Sequence, residues 1–118
     1  MATKLQQFIR EHATIKIACE PEHIHPKDAF DDARDVAEVL KKMEETEWAW
    51  CCVCVTVTFE GMSECEYLGG CSYDSESDFV NSSGYYEDML HTCFATLESR
   101  IKKLHETVQA VTNVEVTA

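Results

Sequence analysis

The chain has 118 residues and 13.4 kDa, with 45% hydrophobic and 27% charged residues, which fits one globular domain and is too apolar for a disordered chain. Twenty-two acidic against ten basic residues give a net charge of −12, which excludes direct binding to a nucleic-acid backbone or an anionic membrane surface, since both need positive charge. No run approaches the roughly 18 uninterrupted apolar residues of a membrane span, and the start Met1-Ala2-Thr3-Lys4-Leu5 lacks a signal-peptide core, so a cytoplasmic setting is expected.

Residues 3–12 read as a short helix: Thr3 and Gln6 have capping-box spacing, and Leu5, Phe8 and Ile9 share a face. Residues 14–19 alternate, with Ile15, Ile17 and Cys19 on one side, as a short strand does. Both prolines, Pro21 and Pro26, fall in the loop that follows. Residues 28–45 then read as one amphipathic helix, with Phe30, Ala33, Ala37, Leu40 and Met43 toward the core. Asp28, Asp31, Asp35 and Glu38 form an acidic stripe on another face, concentrated where the helix macrodipole favours it.

Residues 48–73 are expected to form a long hairpin turning at Gly61. A two-residue turn would set Glu64 and Glu66 beside Val57 and Val55 on the apolar face. A turn one residue longer pairs Val57 with Cys65, Val55 with Tyr67 and Cys51 with Cys71, and moves both glutamates to the polar side, so the longer turn is expected. The glycines Gly69 and Gly70 suggest close packing of the Trp50 or Tyr67 ring over bare backbone. Residues 74–83 read as a polar acidic loop. A last helix over 84–111 carries Met89, Leu90, Cys93, Phe94, Leu97, Ile101, Leu104, Val108 and Val111 as one stripe, followed by a strand-like or frayed tail. The expected architecture is α+β: a single domain with a three-stranded, mainly antiparallel sheet packed by helices.

Charge is unevenly placed. The 57 residues from Met43 to Ser99 hold twelve acids and no Lys or Arg, while the rest of the chain holds ten of each sign. Such a segment is suited to a basic surface on another protein. The carboxylates expected to engage it are Asp28, Asp31, Asp35, Glu38, Glu64, Glu66, Asp74, Glu76, Asp78, Glu87 and Asp88, with Tyr85 and Tyr86 beside the last two as aromatic anchors, a role for which core packing is an equal alternative at Tyr86. The apolar end of the hairpin, Trp48, Trp50 and Leu68 with Cys52 and Cys54, needs a cover. Either the first helix or a partner supplies it, and a second copy of the chain forming a homodimer is one candidate.

Chemistry is sparsely signalled. Seven cysteines and the pair His23 and His25 could supply metal ligands or a redox site, yet the paired spacing of a zinc site is missing, and free cysteine usually serves as a small buried hydrophobe. Asp74-Ser75-Glu76-Ser77-Asp78 alternates like a calcium loop but has Phe79 where glycine is needed and Tyr85 where a bidentate Glu is needed. No nucleophile elbow or phosphate loop is present, so no catalytic residue, cofactor or metal is expected.

Trp48-Ala49-Trp50-Cys51, Phe59-Glu60-Gly61, Tyr67-Leu68-Gly69-Gly70-Cys71-Ser72-Tyr73, Asp78-Phe79 and Gly84-Tyr85-Tyr86-Glu87-Asp88-Met89 together form a pattern that resembles small acidic proteins encoded by bacteriophages and prophages. The likeness spans roughly residues 48–97 and brings no catalytic residue with it. It implies a phage setting, in which small acidic proteins include anti-defence inhibitors such as anti-CRISPR proteins and DNA mimics. The expected function is therefore inhibition of a basic, nucleic-acid-handling host protein or complex by acidic mimicry in the bacterial cytoplasm. The alternatives are a metal-binding or redox module using His23, His25 and cysteines, and a phage accessory or structural protein acting by self-assembly.

Overall fold

A computed structural model describes residues 3–117, with side chains through residue 114. The order is α1 (Lys4–His12), β1 (Thr14–Pro21), α2 (Pro26–Ala29), α3 (Ala33–Met43), a 3-10 turn (Glu47–Ala49), β2 (Cys51–Phe59), β3 (Met62–Cys71), α4 (Glu76–Ser82) and α5 (Tyr86–Thr117). The strands form one antiparallel sheet in the order β1-β2-β3, so the expected α+β fold is present, with β2 at the centre. β2 is the most β-branched stretch of the chain, and a central strand needs side chains that pack on both faces.

One face of the sheet carries the core. Val53, Val55 and Val57 are fully buried against Phe79, Leu90, Cys93, Phe94 and Leu97, while Ile9 of α1 closes the far end. α1 starts where expected: the Thr3 hydroxyl oxygen accepts from the Gln6 N–H (3.0 Å), and the same hydroxyl donates to Glu98 (2.8 Å), tying α1 to α5. The Arg10 guanidinium lies 4.5 Å from the centre of the Phe94 ring and covers that part of the core.

The hairpin register corrects the expectation. Glu60 (φ 48°) and Gly61 (φ 77°) both have positive φ, as a two-residue type I′ turn requires, and Val57 pairs with Glu64, Val55 with Glu66, Thr56 with Cys65 and Cys54 with Tyr67. Relative to the longer turn, every β3 side chain from Met62 to Leu68 changes face. Met62 and Leu68 join the core, and Cys65 and Tyr67 move to the open face. Glu64 and Glu66 are tolerated on the core side because β3 is an edge strand, where their carboxylates reach the rim. Arg100 of α5 meets Glu64 there at 2.7 Å. A bulge then sets two residues, Gly69 and Gly70, opposite Cys52 alone, and this restores the expected Cys51–Cys71 pairing.

Three further elements differ from the sequence reading. The expected 28–45 helix is broken at Phe30, which is extended. His25 caps the single turn α2 and Asp32 caps α3, each accepting from the N–H two residues on. The buried side of α3 is therefore Val39, with Val36 half-buried, whereas Leu40 and Met43 are 38% and 42% exposed. The acidic loop 74–83 contains α4: Ser75 accepts from the Asp78 N–H, and the Asp78 carboxylate accepts from the Asp74 N–H. Backbone donors thus occupy carboxylate and hydroxyl groups that had the alternation of a calcium loop. Finally, the tail is helical, since α5 continues to Thr117.

The apolar end of the hairpin is closed by the chain itself. Trp50 is 6% exposed on the back of the sheet, under the loop before α2; its indole N–H donates to the Ile24 carbonyl (2.6 Å), and its ring lies 5.5 Å from Phe30. Trp48 is in the 3-10 turn and stacks on Phe79, and Leu68 packs in the front core. The three residues expected to form an exposed self-association patch are thus split between two faces and mostly covered. α1, the other expected cover, lies on the front face.

Candidate partner-binding surface

The sheet end at which β2 begins gathers α2, α3, α4 and the start of α5. Four aromatic rings fix it. Phe79, fully buried, meets Trp48 at 6.1 Å, Tyr73 at 5.2 Å and Tyr86 at 6.0 Å. The Tyr73 N–H donates to the Trp48 carbonyl at 2.8 Å and closes the end of β3 against the 3-10 turn. Lys42 of α3 reaches Asp74 at 3.7 Å, which joins α3 to the loop before α4.

The segments meeting here, 20–50 and 70–92, hold fifteen acids and four bases, whereas the rest of the sequence holds seven acids and six bases. The fold thus places eleven of the twelve net negative charges in segments that meet at one end. Local physics makes the clustering bearable. Asp35 lies in the first turn of α3, Glu76 and Asp78 in that of α4, and Glu87 and Asp88 in that of α5, where helix N-termini favour negative charge.

Of the expected acidic residues, Asp28, Asp31, Asp35, Glu38, Asp74, Glu76, Asp78, Glu87 and Asp88 belong to this end. Glu64 and Glu66 do not: they lie on the rim of β3 toward α5, and Glu64 is already paired with Arg100. Asp32, which the acidic stripe omitted, caps α3. Glu22 is a further acid that the sequence left unmarked. Its carboxylate accepts from the Gly70 N–H (2.7 Å) and the Ile24 N–H (3.3 Å), and these bonds hold its pKa below the usual carboxylate value. Gly70 has φ 64°, and a Cβ at Gly69 would stand 3.0 Å from the Glu22 carboxylate, so the glycine pair is what admits this contact. A Cβ at Gly70 would lie 3.6 Å from the Trp50 ring, the close approach expected there.

A shallow groove runs across this end. One stretch is lined by Phe30, Asp35, Glu38, Val39, Lys42 and Ser72, and the next by Phe30, Ser72, Gly70 and Tyr85. Tyr85 is 53% exposed, and Tyr86 turns inward onto Phe79. Carboxylates beside aromatic faces suit Arg and Lys side chains, which gain both ion pairing and cation–π attraction.

Cys51 lies beside Cys19 and pairs with Cys71 across the hairpin, but the candidate ligands do not form a metal site. The His25 ring nitrogen Nδ1 accepts from the Lys27 N–H, and among the described residues no group of three or more His, Cys, Asp or Glu is placed to hold a metal ion. Burial raises the thiol pKa of Cys19, Cys51, Cys52 and Cys71, and pushes Cys93 up to about 11 with help from nearby Glu66. These five are therefore thiols rather than thiolates at neutral pH.

No protein-family model matches the chain, and neither a curated protein nor a solved structure matches it. No helix among the described residues is long and apolar enough to cross a membrane.

Proposed function

We propose that the protein binds a basic, nucleic-acid-handling protein or complex through its acidic end and blocks the groove in which that partner holds phosphates. The observation that carries this reading is the fifteen-to-four excess of acids over bases in the segments that meet at one end. The groove with Asp35 and Glu38 beside Phe30 and Tyr85 supports it, because it offers both contacts an Arg side chain favours. The phage setting, a bacterial host cytoplasm and an anti-defence or anti-CRISPR role rest on the sequence resemblance alone.

Tagged protein is used to capture partners from a bacterial lysate at low salt, followed by a salt gradient and competition with DNA or RNA. Release by salt and displacement by nucleic acid are the expected results, because exposed charges separated by more than about 10 Å are screened at 0.1 M salt. The variant with Asp28, Asp31, Asp35, Glu38, Asp74 and Glu76 changed to Asn or Gln is expected to lose capture. Capture that resists salt, or that survives this neutralisation, contradicts the reading.

A further inference from the structure

The apolar stripe of α5 is longer than the body it packs on. Leu90, Leu97, Leu104 and Val111 recur every seven residues, and Phe94, Ile101 and Val108 interleave with them at steps of three and four. This is the heptad seam of a coiled coil. Its first half is core, with Leu90, Phe94 and Leu97 at most 5% exposed. Ile101 is half-buried, and Leu104, Val108 and Val111 are 54%, 54% and 51% exposed. From residue 104 to 117 the helix extends about 21 Å at the ordinary rise, within a molecule 71 Å long and 24 Å across. Four of the six residues 107–112 are Thr or Val, poor helix formers, and an isolated helix this short is marginal in water. Its stability calls for a cover on the apolar stripe.

We propose that the cover is a second copy of this chain, with residues 101–111 of two α5 helices pairing antiparallel as a short coiled coil. In that pairing Ile101 faces Val111 of the second copy and Leu104 faces its Val108, and the two-fold axis repeats both layers, giving four layers without a polar intruder. The flanks are suited to it. His105, Thr107 and Thr112 border the seam, and the two threonine hydroxyls donate to their own helix, to the Lys103 carbonyl (3.0 Å) and the Val108 carbonyl (2.8 Å). Their methyl groups are then what the flanks present. Where the stripe leaves the body, Met62 lines a shallow groove with Arg100, Lys103, Leu104 and Thr107, which receives the last turn of the second helix.

Charge selects the orientation. A parallel pair would hold two bodies of −12 side by side, whereas an antiparallel pair sends the acidic ends in opposite directions and unites residues 95–117, where Arg100, Lys102 and Lys103 balance Glu98, Glu106 and Glu115. This surface is separate from the acidic end and leaves that end open. Four layers and their flanks bury on the order of 1,000 Å², the lower edge of specific interfaces, so the dimer is expected to depend on concentration.

The test is light scattering and sedimentation of the full chain between about 1 and about 200 μM, a range that suits a small interface, with small-angle scattering for shape. A monomer–dimer transition is expected, and the dimer is expected to be about 110 Å long, since two chains 71 Å long and centred on residue 106 overlap over residues 95–117, about 33 Å at 1.5 Å per residue. Val108→Glu and, independently, Leu104→Asp lie outside the body; both are expected to keep the helical circular-dichroism spectrum and stay monomeric. Glu106→Gln, on the outer face, is expected to dimerise as before. A monomer throughout the range overturns the proposal, as does a dimer unaffected by Val108→Glu or one no longer than the monomer.

Discussion

The two ends of the molecule solve opposite problems. The acidic end carries most of the charge and is held by a dense aromatic cluster, Trp48, Tyr73, Phe79 and Tyr86, with helix N-termini accommodating its carboxylates. The far end, beyond Arg100, carries little net charge and leaves an apolar stripe half exposed. One region spends its packing to present charge, and the other leaves packing unfilled. A binding surface therefore need not be the place where apolar side chains are exposed, and at this acidic end the apolar residues serve as the scaffold.

The comparison can be broken most severely at Phe79. Phe79→Ala removes the ring on which three others rest and is expected to cost about 3–5 kcal/mol in urea denaturation, with the acidic end losing order first. A loss below about 1 kcal/mol would show that the cluster is not what holds this end. Ser75→Ala removes the cap of α4 and is expected to cost about 1 kcal/mol.

The boundary between the two regions has its own signature at Glu98, which is buried at 6% exposure. It accepts from Thr3 at 2.8 Å and pairs with Lys102 at 3.1 Å, and the Thr3 bond first, then Lys102, lowers its pKa from the ordinary 4.5. A carboxyl with a lowered folded-state pKa stabilises fully above the ordinary value, and that contribution fades as pH falls through the folded value. Glu98→Gln is therefore expected to be less stable than the parent at pH 7, with the gap closing below pH 4.5 as measured by denaturation across pH. A gap that stays constant would rule out the ionised carboxylate as its source.

The smallest expected effect lies at the hairpin tip. Glu60 holds φ 48°, which side chains other than Gly and Asn adopt at a cost, so Glu60→Asn is expected to stabilise by about 0.5–1 kcal/mol in thermal denaturation. Destabilisation would mean that the Glu60 side chain supports the turn.

Much of this fold is legible in the sequence because short-range chemistry encodes it: the Thr3–Gln6 cap, the alternation of Ile15, Ile17 and Cys19, the β-branched run of β2 and the stripe of α5. The hairpin register was less legible, because the position of Arg100, 36 residues from Glu64, decides whether a glutamate can face the core. Alternation weighs each strand alone and cannot anticipate that partner. α4 escaped for a related reason: Asp74, Ser75 and Asp78 form a capping arrangement that resembles a polar loop, and only Phe79 and Val80 mark the helix behind it. The covering of Trp50 depends on the loop at Ile24 and Phe30, far away in sequence. Nine of the acidic positions expected to act together do share one end, while Glu64 and Glu66 followed the register to the other side of the edge strand.

The most direct test of the acidic end as the binding surface is amide hydrogen exchange on the protein alone and in complex with its captured partner. Protection that appears on binding in α2, α3, α4 and the first turn of α5, with residues 104–117 unchanged at low protein concentration, is the expected result. Protection confined to residues 104–117, with the acidic end exchanging as in the free protein, would contradict it and assign partner binding to the apolar stripe.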